Sequence, residues 1–369
     1  MSAHESPAPV LIIGAGPSGL ATAYHLQRLG APFLMLERSH VGASWERYYD
    51  ALKLHTRKAN VALPGLPFAP EVPDFPSGKD YCRYLQSYAA QFDFPIREGV
   101  EVLGANANAH TWRLSTTQGD FVTSHLVVAS GIYNTPKRPH LAGEADYTGR
   151  ILHAQDYHNP APFLGERVLV VGAGNTGVGV ALSLLEAGVE VGMVVRDGVQ
   201  LVPLPKSAFG TRLLSSIVES MPTPLANTLL SWVRKDFSEL GLPTPDKPPL
   251  EITPVVGYEF ADAVRAGKVK IHPAIECLQE NKVSFVDGTL SSYDNLILAT
   301  GYAPTIRFLP DVELDAYGKP KYALPGLHTV GFYYPTTKPF LLNMKDEAER
   351  VAHEVALLQK RDVSLQKAC

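Results

Sequence analysis

Cysteine is scarce in this 369-residue chain, and its placement excludes one mode of electron transfer. Cys82, Cys277 and Cys369 stand far apart, with no CxxC or CxxxxC pair. A dithiol relay needs two neighbouring sulfurs, so chemistry through such a pair is not expected, and each thiol reads as buried filler or exposed tail. Long apolar runs are missing too, which excludes a membrane-crossing helix. The first residues, Met1-Ser2-Ala3-His4-Glu5-Ser6-Pro7, lack the basic region and apolar core of a signal peptide. A formal net charge of −4 gives no reason to expect nucleic acid or anionic membrane as partner. The histidines show no HxxxH spacing with a third ligand, so no metal is expected. No Ser/His/Asp set or carboxylate pair with a good claim stands out either. The expectation is a soluble, cytoplasmic protein. With 45% hydrophobic and 19% charged residues it is globular, and long enough for two domains or one with a large insertion.

What the sequence does have is two glycine fingerprints, 158 positions apart. Val10-Leu11-Ile12-Ile13 leads into Gly14-Ala15-Gly16-Pro17-Ser18-Gly19, and Val168-Leu169-Val170-Val171 leads into Gly172-Ala173-Gly174-Asn175-Thr176-Gly177. Each follows a short apolar run suited to a buried parallel strand and opens a helical stretch. In such a turn the first Gly permits the reversal and the second lets backbone approach a pyrophosphate. The third lets helix and strand pack closely, while the helix N-terminus faces the phosphates with partial positive charge. Two fingerprints in full strand–turn–helix context imply two dinucleotides.

The residue ending the next strand separates the two sites. Glu37 lies 23 positions beyond Gly14, where a carboxylate can accept hydrogen bonds from unmodified ribose and would repel a 2′-phosphate. Arg196 lies 24 beyond Gly172, where a planar cationic fork suits that phosphate. The first site therefore reads as FAD-binding and the second as NADPH-binding.

The remaining pattern is α/β, with two Rossmann-like dinucleotide-binding domains, the NADPH domain inserted into the FAD domain. The expected boundaries are 1–155 and 298–369 for the FAD domain and 156–297 for the NADPH domain. A helix stops at Gly30. Residues 40–78, rich in Pro, Gly and aromatics, read as irregular loop, and 81–92 as helix. Short strands follow at 100–103, 111–114 and 121–123, then a buried strand at 125–130. Residues 203–254 form a proline-rich segment with two amphipathic stretches, a lid or a surface insertion. Strand 296–299 ends in a turn at Thr300-Gly301 like that at Ser130-Gly131, and a last helix covers about 345–359.

Between the fingerprints stands Tyr147-Thr148-Gly149-Arg150-Ile151-Leu152-His153-Ala154-Gln155-Asp156-Tyr157. It resembles the FxGxxxHxxx-aromatic pattern of the class B flavoprotein monooxygenases (the flavin-containing monooxygenase family), with Tyr in place of the first Phe. Ala299-Thr300-Gly301-Tyr302 matches the ATGY element of that family. Tyr49-Asp50-Ala51-Leu52-Lys53-Leu54-His55 is closest to the YDRLKLH of plant YUCCA-type enzymes. The likeness weakens at Gly331-Phe332-Tyr333-Tyr334-Pro335.

The resemblance implies an NADPH- and O2-dependent monooxygenase that forms a C4a-(hydro)peroxyflavin. One oxygen atom would pass to a small substrate: an amine, a sulfide or a 2-oxo acid such as indole-3-pyruvate. Alternatives are an NAD(P)H-dependent flavin reductase or oxidase without oxygen transfer, and a non-catalytic redox sensor. Gly14, Gly16, Pro17, Ser18, Gly19, Glu37 and Arg38 are the expected FAD residues. Trp45 would lie near the flavin, Val102 would offer backbone to adenine, and Ser130 would close the turn. Gly172, Gly174, Asn175, Thr176, Gly177 and Arg196 would hold NADPH, with Lys206 a second cation and Thr300 and Gly301 in the matching turn. His55 takes the place of an asparagine that positions the oxygenated flavin in animal-type members, and Lys58 matches a motif lysine. These two are the catalytic expectations. His153 reads as structural. The oligomeric state is open, a homodimer among the options.

Overall fold

The computed structural model describes residues 10–108, 111–315, 320–332 and 338–368, with side chains up to 360 in the last helix. Met1–Pro7, Tyr333-Tyr334-Pro335 and Cys369 lie outside the described residues. The chain divides into two compact units. The first takes residues up to Glu46, Thr56–Thr135 and Tyr302 onward; the second takes Arg47–His55 and Pro136–Gly301.

The first unit is built on five strands in the order Leu327–Thr329, Leu126–Val128, Val10–Ile13, Phe33–Leu36, Ile96–Arg97. Every neighbouring pair is parallel. Val10–Ile13 is buried at all four positions, as an apolar run covered on both faces must be. The helix Pro17–Arg28 has Pro at its start, where a missing N–H costs nothing, and buries Leu20, Ala21, Ala23 and Leu26. The last helix, Phe340–Ala368, extends beyond the expected 345–359 at both ends. It buries Met344, Ala348, Val351, Ala352 and Val355, the spacing of one helical face. An antiparallel meander of Val102–Asn108, Thr111–Thr116 and Gly119–Thr123 completes the unit.

Residues 40–78 are less irregular than the composition suggests. Short helices form at Ala43–Glu46 and Lys58–Val61. Each is one turn long, too short to leave a periodic signature.

The second unit repeats the plan. Its sheet runs Val269–His272, Glu190–Val194, Arg167–Val171, Asn295–Leu298, Arg150–His153, again parallel throughout. A second antiparallel meander is formed by Ile275–Gln279, Lys282–Phe285 and Leu290–Ser292. Arg150–His153 is an edge strand of this sheet, so the expected passage at 155/156 falls too late. The unit begins at Pro136 and also captures Arg47–His55. Within 203–254 two helices form, Ala208–Ser220 and Thr223–Val233, with Phe209, Trp232 and Val233 about three-quarters exposed. Among the described residues no helix is long and apolar enough to cross a membrane.

Candidate dinucleotide sites

In the first turn the strand backbone hands over through Gly14, whose N–H donates to Leu36 O at 2.8 Å. Gly14 has φ +106°, and a Cβ there would lie 2.6 Å from the carbonyl oxygen of Ala129. A Cβ on Gly19 would lie 2.0 Å from Gly14 O. Both glycines are therefore demanded by the protein's own packing. Gly16 is not: it has an ordinary φ of −83°, and a Cβ would meet nothing within 4 Å. The helix beginning at Pro17 has no side-chain cap on its orphan N–H groups. Open space beside Gly16 and uncapped donors fit an incoming diphosphate.

Glu37 is anchored to this turn. Its Oε2 accepts the Ala15 N–H at 2.8 Å and its Oε1 accepts that of Ser39 at 3.0 Å. Ser130 lies beside Gly14, and its buried Oγ has no hydrogen-bond partner among the described residues. An unmatched hydroxyl is costly unless a ligand completes it. Ser18 is buried on the fingerprint helix, Arg38 is exposed, and Val102 is half-buried at the start of the meander. Trp45 sets an edge against Tyr81, with ring centres 4.5 Å apart. These residues share one unit and fit a flavin dinucleotide.

The second turn reproduces the same constraints. Gly172 has φ +112°, with a would-be Cβ 2.7 Å from Ala299 O, and Gly177 would place one 1.9 Å from Gly172 O. Gly174 again faces open space, at the start of an uncapped helix, Asn175–Glu186. Thr176 and Lys206 are exposed. Thr300 Oγ1 donates to Lys137 O, while Gly301 turns with φ +80° and free room beside it. Arg196 is 74% exposed, and its Nε and Nη2 both donate to Asp197 Oδ2, at 2.9 and 2.6 Å. That carboxylate raises the guanidinium pKa.

The structure brings His55 to this second turn. Its Nδ1 lies 3.0 Å from Asn175 Oδ1. Burial lowers its pKa, with Asn175 and Glu259 pulling the other way. Lys58 belongs to the first unit, where its ammonium donates to the carbonyls of Ala69, Pro70 and Val72 at 3.2, 2.9 and 2.5 Å. All three protons are spent holding a loop, which gives Lys58 a structural place rather than the expected catalytic one.

The linker motif has local mechanics as well. Tyr147 donates its hydroxyl to Tyr293 O at 2.8 Å, a bond that Phe could not make. A Cβ on Gly149 would lie 2.5 Å from Asp294 O and 2.7 Å from the Tyr147 ring. His153 Nδ1 accepts the Gln155 N–H at 3.1 Å, which leaves Nε2–H to donate to Gly301 O at 3.2 Å. Burial lowers its pKa, so it is a neutral connector that braces the Thr300-Gly301 turn.

Sequence spacing missed one group of ligand-type side chains. His40, Glu46 and Cys82 place donor atoms within 4.8 Å of one another. They form a chain: His40 Nε2 meets one oxygen of Glu46 at 2.9 Å, and the Cys82 thiol donates to the other at 3.4 Å. Burial and that carboxylate push the thiol up to about 12, so it stays protonated as a packed, unreactive sulfur.

Two units, each with a parallel sheet and a glycine turn shaped for a diphosphate, define a protein of the two-dinucleotide oxidoreductase class. In agreement, residues 11–207 match the family model described as pyridine nucleotide-disulphide oxidoreductase. The chain is 35% identical over 392 aligned positions to the probable indole-3-pyruvate monooxygenase YUCCA3 of Arabidopsis thaliana, spanning 97% of this chain and 88% of the relative. It is 33% identical to the indole-3-pyruvate monooxygenase YUCCA1 of Oryza sativa subsp. japonica, over 94% and 90% of the two chains. The fold matches the flavin-containing monooxygenase from Stenotrophomonas maltophilia, with a TM-score of 0.74 at 20% identity, over 96% of this chain and 99% of that one. The chain belongs to the YUCCA-type branch of the flavin monooxygenase family.

Proposed function

We propose that the chain is an NADPH- and O2-dependent flavin monooxygenase that transfers one oxygen atom to a small organic substrate. The observation that carries this reading is the pairing of two diphosphate-shaped turns with opposite charges at the next strand end, Glu37 and Arg196. Gly14, Gly16, Pro17, Ser18, Gly19, Glu37 and Ser130 would hold FAD. Gly172, Gly174, Thr176, Gly177 and Arg196 would hold NADPH. Held by these residues, FAD would supply the difficult chemistry, taking hydride from NADPH and activating O2 so that one oxygen atom goes to substrate and the other leaves as water. The protein's share is binding, orientation and exclusion of water. The relatives named for indole-3-pyruvate make a 2-oxo acid the first substrate to try, ahead of soft amines and sulfides.

Stopped-flow spectroscopy of FAD-loaded protein with NADPH in air tests the reading. The expected result is flavin reduction, a transient absorbance of the oxygenated flavin, and product carrying one atom of labelled O2. Rapid reduction with only hydrogen peroxide formed across all three substrate classes would mean a reductase or oxidase. No reduction at all would leave a redox sensor.

A further inference from the structure

Asn175 is the first residue of the second fingerprint helix, yet its side chain serves the protein rather than pointing only at a cofactor. Its Nδ2 donates to Pro254 O at 2.9 Å, and its Oδ1 accepts the Val256 N–H at 3.1 Å. Those two backbone groups have fixed polarity, so they dictate which end of the amide is oxygen. The same oxygen faces His55 Nδ1 at 3.0 Å. An amide oxygen can only accept, so Nδ1 must carry the proton. Neutral His55 is thus held in its Nδ1–H form, with the lone pair on Nε2. Among the described residues Nε2 makes no hydrogen bond. Burial favours the neutral ring, and Glu259, the charged group that bears on it, offsets this in part.

We propose that Asn175 is the positioning residue for His55, fixing a tautomer whose Nε2 accepts a hydrogen bond from a hydroxyl or carboxamide N–H of the dinucleotide at the second turn. The chain of cause runs from backbone polarity at Pro254 and Val256, through one amide, to one imidazole nitrogen. The choice of dinucleotide as donor rests on the reading of this turn as the NADPH site; the tautomer does not. Asn175 would then act through His55, and His55 would touch the ligand.

The test has two arms on the full-length protein. Histidine-selective 15N NMR at neutral pH should show His55 protonated at Nδ1 in the wild type, and Asn175→Leu should lose that preference. A wild-type spectrum showing the Nε2–H form would overturn the proposal. In the second arm NADP+ affinity is titrated against pH. Binding should weaken as His55 gains a proton at Nε2, because an N–H cannot accept. Asn175→Asp keeps an acceptor for Nδ1–H but adds a negative charge, which raises the His55 pKa and moves the weakening to higher pH. His55→Phe should weaken NADP+ by about three- to tenfold at neutral pH and remove the part of the pH limb that belongs to His55. An unmoved limb in Asn175→Asp, or unchanged affinity in His55→Phe, would sink the ligand contact. Failure of oxygen transfer in the wild type would defeat the monooxygenase reading and leave both arms standing.

Discussion

The two nucleotide turns share their glycine geometry and differ in how they hold charge. Gly14 and Gly172 adopt φ +106° and +112°, and each presses its Cα face against an alanine carbonyl. Glu37 is tied by one oxygen to the Ala15 N–H of the turn and by the other to the N–H of Ser39. Arg196 reaches into solvent and spends two of its donors on the adjacent Asp197. The acid is therefore pre-organised, whereas the base is already neutralised by its neighbour. The two turns keep one geometry, while the charged residue at the next strand end differs in stiffness as well as in sign.

The largest effect should separate folding from binding. Gly14→Ala or Gly172→Ala drives a Cβ to within 2.6–2.7 Å of a backbone carbonyl at positive φ. Each should cost at least about 2 kcal/mol and yield little soluble protein. Gly16→Ala and Gly174→Ala place a Cβ in open space. They should leave the melting temperature unchanged while reducing FAD content and NADPH affinity respectively. Thermal melts beside flavin absorbance and NADPH titration read the difference; if all four variants behaved alike, the division between packing and cradle glycines would fail.

That division was legible in sequence because it is local. A strand, a sharp turn and a helix within about ten residues leave their mark as an apolar run and spaced glycines. The positions of Glu37 and Arg196 just past their strands were likewise legible by counting along one βαβ unit. What stayed hidden depends on contacts between distant segments. His55 meets Asn175 across 120 positions, and Tyr49, in the Arg47–His55 segment of the same unit, packs its hydroxyl against Gly179. The His40–Glu46–Cys82 chain joins a loop, a one-turn helix and the helix Gly78–Gln91, none of which signals the others. Lys58 matched a motif by position, but only the loop at 69–72 reveals where its protons go.

Breaking the charge contrast should have the next largest effect. Arg196→Ala removes the cation proposed for the 2′-phosphate and should raise the NADPH Michaelis constant about tenfold, with little change for NADH. Equal effects on both cofactors would refute the assignment. Asp197→Asn sharpens the same contrast from the other side. Freed of its neighbour's carboxylate, Arg196 should bind phosphate more tightly and raise the NADPH-over-NADH preference a further two- to threefold, an exposed pair being worth only about 0.5 kcal/mol.

The smallest effects lie away from the turns, at one histidine of each unit. His272 stacks on Phe285 at 4.1 Å and places Nε2 2.7 Å from the Tyr293 hydroxyl. His328 lies 6.0 Å from the ring of His125, and its buried Nε2 has no partner among the described residues. Burial lowers both from 6.5 to about 4. With folded values below unfolded ones, the unfolded chain takes up more protons in this window. Both groups therefore favour the fold above pH 6.5, and their contribution is lost as pH falls from 6.5 to about 4. At pH 7 the two should part: His272→Phe strands the Tyr293 hydroxyl and should cost about 1–2 kcal/mol, whereas His328→Leu removes an unsatisfied nitrogen and should be nearly neutral. Urea denaturation at pH 7 and pH 5 measures both. A His328→Leu variant that retained the full wild-type loss between those pH values would show that His328 titrates without penalty, and that its burial does not govern the acid limb.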